Sequence, residues 1–126
     1  MPKKILDAPS GPHPVGPYSV ATEANGFVFI SGQGGMDPAT NSIVAGGVEA
    51  ETEQVMENIG AILSDVGLTY SDIVKTTIFL ADMNDFPRVN EIYGRYVADA
   101  KPARSTVQVA ALPLGIQVEI EIIAAR

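Results

Sequence analysis

The chain has no cysteine and a single histidine, His13. Without cysteine, disulfide staples, thiolate catalysis and cysteine-based metal centres are excluded. One histidine set between two prolines builds no ligand cluster, so no metal site is expected and His13 reads as a loop residue without a role. Basic residues are also scarce: 8 Lys and Arg stand against 15 Asp and Glu, for a net charge of −7. The cations are scattered and Lys3-Lys4 is their only adjacent pair. A nucleic-acid surface needs them clustered, so no nucleic-acid partner is expected. Long apolar runs are missing too. Nothing approaches membrane-spanning length, and the N-terminus runs into Asp7 and a Pro/Gly-rich stretch instead of a secretory apolar segment. A soluble, cytoplasmic protein without a membrane partner is the expectation.

What is present is a chain of 126 residues, 46% hydrophobic, the size of one domain (1–126) with a real core. A short β-like start at Lys3–Leu6 leads into a loop, Ala8–Pro17, holding four of the nine prolines. The first clear strand, Gly26–Ser31, is stopped by Gly32, Gly34 and Gly35. Val48, Val55, Ile59, Ile62, Leu63 and Val66 recur at helical spacing, with Glu49, Glu51 and Glu53 at the positive end and Gly67 as the stop. Ile73–Ala81 is Val/Ile/Thr/Phe-rich and reads as a strand. Asn84-Asp85 is placed to cap a second helix from Phe86 to about Asp99, whose Pro87 falls in the first turn. Two strands, 104–110 and 116–124, flank Pro113-Leu114-Gly115 and close the chain. This order predicts an α+β fold with two helices on one face of a mostly antiparallel sheet.

The two last strands carry the chemistry. Arg104 is suited to holding a carboxylate, because its planar fork donates two parallel hydrogen bonds and keeps its charge. A nearby Glu119 would act on whatever that carboxylate is attached to, given a pKa near neutrality. Whether the two share a face depends on hairpin register. If Arg104 pairs opposite Glu121, Glu119 lies on the diagonal, roughly 7–8 Å away. Along the last strand Ile116, Val118, Ile120 and Ile122 point one way and Gln117, Glu119 and Glu121 the other. Arg104, Thr106 and Gln108 show the same polar alternation against Ser105, Val107 and Val109. Phe27, Phe29 and Phe79 add apolar surface that two helices cannot cover, so a subunit partner is expected to close part of the sheet. Glu121 is expected to be structural, paired with a basic neighbour. Ser19 and Ser105 lack a histidine partner for nucleophilic chemistry.

Taken together, Gly16-Pro17-Tyr18-Ser19, Ile30-Ser31-Gly32-Gln33, Val55-Met56-Glu57-Asn58-Ile59, Asp72-Ile73-Val74-Lys75-Thr76-Thr77, Met83-Asn84-Asp85-Phe86, Val89-Asn90-Glu91-Ile92-Tyr93, Pro102-Ala103-Arg104-Ser105 and Val118-Glu119-Ile120-Glu121 form an ordered set over nearly the whole chain. The set resembles the Rid family, also called YjgF-like proteins, the reactive-intermediate imine and enamine deaminases. That resemblance implies a chorismate-mutase-like fold, a six-stranded sheet backed by two helices, and a homotrimer with ligand clefts at the subunit interfaces. It implies hydrolysis of 2-imino acids, such as 2-iminobutanoate or 2-iminopropanoate, to 2-oxo acids and ammonia without metal or cofactor. Mapped onto this chain, it has Arg104 hold the substrate carboxylate and Glu119 activate water or shuttle its proton. Tyr18, Ser31 and Asn90 would line the cleft, and the backbone at Gly32 and Thr106 would add polar contacts.

Where many members have other residues, this chain has Val20, Thr106 and the pair Gly34-Gly35, and the glycines are expected to widen or loosen the cleft wall. A different class of function uses the same cleft without chemistry, as a carboxylate-binding, regulatory or chaperone-like trimer. Such a binder needs Arg104 but not Glu119. Chorismate rearrangement on a shared fold would need further cations, and the motifs offer only Arg104.

Overall fold

The computed structural model describes residues 2–126. Six strands form one sheet: β1 (Lys4–Leu6), β2 (Ala21–Ala24), β3 (Phe27–Gln33), β6 (Ile73–Leu80), β7 (Ala103–Gln108) and β8 (Val118–Ala125). Met36–Asp37 (β4) and Ser42–Ile43 (β5) make a separate small hairpin. The helices are α1 (Gly47–Asp65) and α2 (Phe86–Val97). No helix among the described residues is long and apolar enough to cross a membrane.

The spatial order of the sheet is β1-β2-β3-β8-β6-β7, antiparallel throughout except for the parallel pair β6–β7. A parallel pair needs a crossover, and α2 supplies it. The two C-terminal strands are therefore not a hairpin. From β7 the chain crosses β6 and inserts β8 between β3 and β6. Burial explains the choice. The inward residues of β8, Val118, Ile120, Ile122 and Ala124, are almost wholly enclosed, whereas β7, with Arg104, Ser105, Thr106 and Gln108, is polar enough to stand at the edge.

Both helices lie on one face. From α1, Val55, Met56, Ile59, Ile62 and Leu63 pack down; from α2, Val89, Tyr93 and Val97 do so, against Val28, Ile30, Ile78, Leu80 and the inward side of β8. The end of α1 follows from Gly67, whose φ of 81° suits a residue without Cβ. Its N–H reaches Ser64 O at 3.1 Å and that of Leu68 reaches Leu63 O at 2.8 Å, the paired bonds of a Schellman turn. Before α2 the capping side chain is Asp82, which accepts from the Asn84 N–H at 2.9 Å; Asp85, at the N-cap, pairs instead with Arg88.

Candidate functional site

One cleft, about 710 Å³, opens beside the middle of the sheet. It lies between the loop Pro12–Val15 with Tyr18, the β3 end at Ser31–Gly34, and the Pro113–Ile116 approach to β8 with Glu119. A β-bulge shapes it: between Ile30↔Ile122 and Gln33↔Ile120, Ser31 and Gly32 together oppose Glu121 alone. Ser31 Oγ donates to Ser19 O at 2.7 Å, and the Ser31 N–H to Val20 O at 2.9 Å. Both bonds tie the Tyr18 segment to the bulge. The carboxylate of Glu119 sits directly over Gly32, where any Cβ would collide with its Oε1. Glu119 is half-buried, and its pKa is raised chiefly by loss of hydration and secondarily by the charge of Glu121. Tyr18 is half exposed.

Arg104 is elsewhere. Its Nη1 donates to Asn90 Oδ1 at 2.6 Å, and its guanidinium carbon lies 5.2 Å from the ring centres of both Phe86 and Tyr93. The Tyr93 hydroxyl is in turn bonded to Thr76 Oγ1 at 2.7 Å, which fixes the ring under the cation. Asn90 thus orients Arg104, leaving the guanidinium exposed at the edge of the molecule. Thr106, on the same strand, buries an Oγ1 with no hydrogen-bond partner among the described residues.

Register separates the two ends. Arg104 pairs with Thr76, which pairs with Ile122; Glu119 pairs with Phe79, which pairs with Val107. Arg104 and Glu119 are thus three residues apart along the sheet and two strands apart across it, about 10 Å in each direction. They are also on opposite faces. Arg104, Thr106 and Gln108 share the helix side with buried Thr76, Ile78 and Leu80, while Glu119 and Glu121 share the bare side with Phe79 and Thr77. The diagonal contact expected from a hairpin does not occur, because β6 intervenes. Tyr18, Ser31, Gly32 and Glu119 meet in the cleft; Arg104, Asn90 and Thr106 stand together at the far edge.

A family model described as Endoribonuclease L-PSP matches residues 8–126. The chain belongs to this family, the Rid or YjgF-like proteins. Among Rid relatives it is 47% identical to a mouse protein named 2-iminobutanoate/2-iminopropanoate deaminase, over 98% of this chain and 92% of that one. It is 51% identical to Protein DfrA of Myxococcus xanthus, over 98% and 96%. Among solved structures it matches RidA from an Antarctic Psychrobacter with a TM-score of 0.93 and 41% identity, covering 98% of this chain and 99% of that one. It matches Escherichia coli TdcF with bound serine at 0.90 and 39%, covering 98% of each.

Two readings of the Rid sequence are corrected by the structure. Gly34 and Gly35 do not widen the cleft: a Cβ on Gly34 would fall 2.8 Å from Ile116 Cδ1, and one on Gly35 would fall 2.7 Å from Glu51 Cα, so both glycines permit tight packing. Glu121 is exposed and makes no ion pair among the described residues; it acts on Glu119 through its charge. His13 is in a loop, as expected, and lies on the cleft wall, its N–H held by Asn41 Oδ1 at 3.2 Å. Val15, Met36 and Leu114, which no sequence motif marks, also line it, as does Ile116, expected only on the helix-covered side of the last strand. Large apolar side chains placed beside Pro and Gly in loops, as Val15 and Leu114 are, were the available signal.

Proposed function

We propose that this chain hydrolyses 2-imino acids to 2-oxo acids and ammonia, in clefts completed between copies of a homotrimer. The observation that carries the reading is the division of the site: a pre-oriented, solvent-facing Arg104 at one edge and a Glu119 of raised pKa in a cleft on the opposite face. Neither end is a complete small-acid site, and two copies joined edge to cleft would make one. The bare sheet face, with Phe27, Phe29 and Val107 all more than two-fifths exposed, favours such an assembly. The relatives named as imine deaminases favour the chemistry. The serine bound in TdcF is a small amino acid of the matching kind.

In this reading Arg104 of one copy receives the substrate carboxylate, with Asn90 holding the fork and the Thr106 backbone beside it. Tyr18, Ser31 and Gly32 of the next copy line the reacting end. Water adds to the protonated imine carbon and gives its proton to Glu119, forming a carbinolamine. Glu119 returns that proton to the nitrogen; as the C–N bond breaks, the hydroxyl proton passes to the again ionised Glu119, the C=O bond forms, and ammonia leaves. A carboxylate shifted upward by burial is better matched to both transfers than an ordinary one. Orientation of water and an already electrophilic carbon supply the rest. Endoribonuclease action, for which the family is described, is disfavoured here by the net charge of −7 and the scattered cations, which make no RNA surface. The test generates imine in situ with an amino-acid oxidase and times ammonia release. Acceleration by this protein is expected, and release at the spontaneous rate would refute the reading.

A further inference from the structure

Glu51 is a buried carboxylate that the proposed chemistry does not use. Its helical neighbours Glu49 and Glu53 turn outward to Arg88 and Arg95, while Glu51 is 3% exposed and turns inward. There Oε1 accepts from the main-chain N–H of Gln117 at 2.8 Å and Oε2 from Gln117 Nε2 at 3.1 Å. Gln117 lies between Ile116 and Val118, two residues before Glu119. On its other side Glu51 is the surface on which Gly35 rests, at a separation that admits no Cβ. Two turns along α1, Asn58, 1% exposed, donates to Met36 O at 2.8 Å and Gly34 O at 3.4 Å. The cleft's two wall segments, 34–36 and 116–119, thus hang from one polar ridge of α1.

We infer that Glu51 is a positioning residue for the cleft, clamping the start of β8 against α1 and the Gly34–Met36 wall so that Glu119 stays seated over Gly32. A charge-assisted pair of bonds from one buried carboxylate fixes both position and rotation of the Gln117 peptide, as a single neutral bond would not. The inference deepens the proposed function and rests on Glu119 being the reacting group.

Glu51→Ala and Glu51→Gln separate clamp from charge. In the glutamine variant the amide oxygen still accepts from the Gln117 N–H, and its NH₂ meets Gln117 Oε1 once that amide turns over. With imine generated in situ, Glu51→Ala is expected to lower kcat about tenfold or more with KM within about twofold, and Glu51→Gln to stay within about threefold of wild type. Titration of Glu119 by carboxylate NMR, without substrate, gives a readout independent of turnover. Its pKa should fall toward the ordinary carboxylate range in Glu51→Ala, as water enters the loosened wall, and hold in Glu51→Gln. Unchanged kcat and unchanged Glu119 titration in a folded Glu51→Ala would overturn the clamp, as would equal losses in both variants. If Glu51→Ala fails to fold, Gln117→Ala removes only the Nε2 bond, and a wild-type kcat and Glu119 titration there would overturn it. Wild type inert toward imines would sink the proposed function instead, leaving the NMR comparison to decide the clamp.

Discussion

Glu119 and Arg104 are prepared by opposite environments. Loss of hydration raises the pKa of Glu119, whereas Arg104 keeps its charge in water and gains direction from Asn90 and two aromatic rings. Arg104→Ala should cost at least about tenfold in turnover, roughly 1.4 kcal/mol or more of transition-state stabilisation. Arg104→Lys should fail as badly, because an ammonium cannot reproduce the bidentate fork. Glu119→Gln should lower kcat while calorimetric titration finds 2-oxobutanoate binding preserved; Glu121→Gln should be close to neutral. Equal losses at 119 and 121 would point to a general field. The pH profile follows from the direction of the Glu119 shift. Acting first as a base, it must be ionised, so activity should fall as pH drops through a value above the ordinary carboxylate range, and Glu121→Gln should move that limb slightly lower. Stability runs the other way: a carboxyl with a raised folded pKa favours the fold below its unfolded pKa and loses that contribution as pH rises through the folded value. Glu119→Gln should therefore unfold at a higher temperature than wild type at pH 7, and the gain should shrink as pH falls into the carboxylate range.

Elements were legible where one signal sufficed. The spacing of Val55, Ile59, Ile62 and Leu63 and the stop at Gly67 predict α1 to within a residue or two, and its Schellman turn gives a direct check. Gly67→Ala, forced to φ near 81°, should destabilise by about 1–2 kcal/mol in urea unfolding. Strand identities were legible as well, but strand order was not. A five-residue link between two β-runs reads as a hairpin, because adjacency in sequence is the default; here α2 makes β6–β7 a parallel pair and β8 takes the centre. The relative apolarity of the runs held the clue, since the strand enclosed on its inward side is the one with Val118, Ile120 and Ile122. Ile120→Ala should accordingly cost about 2–5 kcal/mol. Of the candidate site, residue identity was legible through the family motifs. Their distribution over two faces was not, because alternation fixes which residues share a face only within one strand. The β3 bulge, the packing role of Gly34-Gly35 and the clamp at Glu51 all depend on approaches between segments distant in sequence, on which local pattern is silent.

At the scale of the whole molecule, one sheet face is covered by helices and the other carries Phe27, Phe29 and Val107 in the open. In the proposed assembly, a cyclic arrangement of copies would close that surface and bring the Arg104 edge of one copy to the Glu119 cleft of the next. Light scattering at micromolar concentration should give a trimeric mass, with a monomeric mass contradicting it. A binder without chemistry would also be a trimer, so mass alone does not separate the two functions; turnover does. The most direct measurement mixes inactive Arg104→Ala and inactive Glu119→Gln subunits, allows exchange, and assays imine hydrolysis. With each cleft drawing Arg104 from one copy and Glu119 from the next, random trimers restore on the order of a quarter of the wild-type clefts. No recovered activity after verified exchange would mean that both residues serve a cleft from the same chain, contrary to their placement on opposite faces of the sheet.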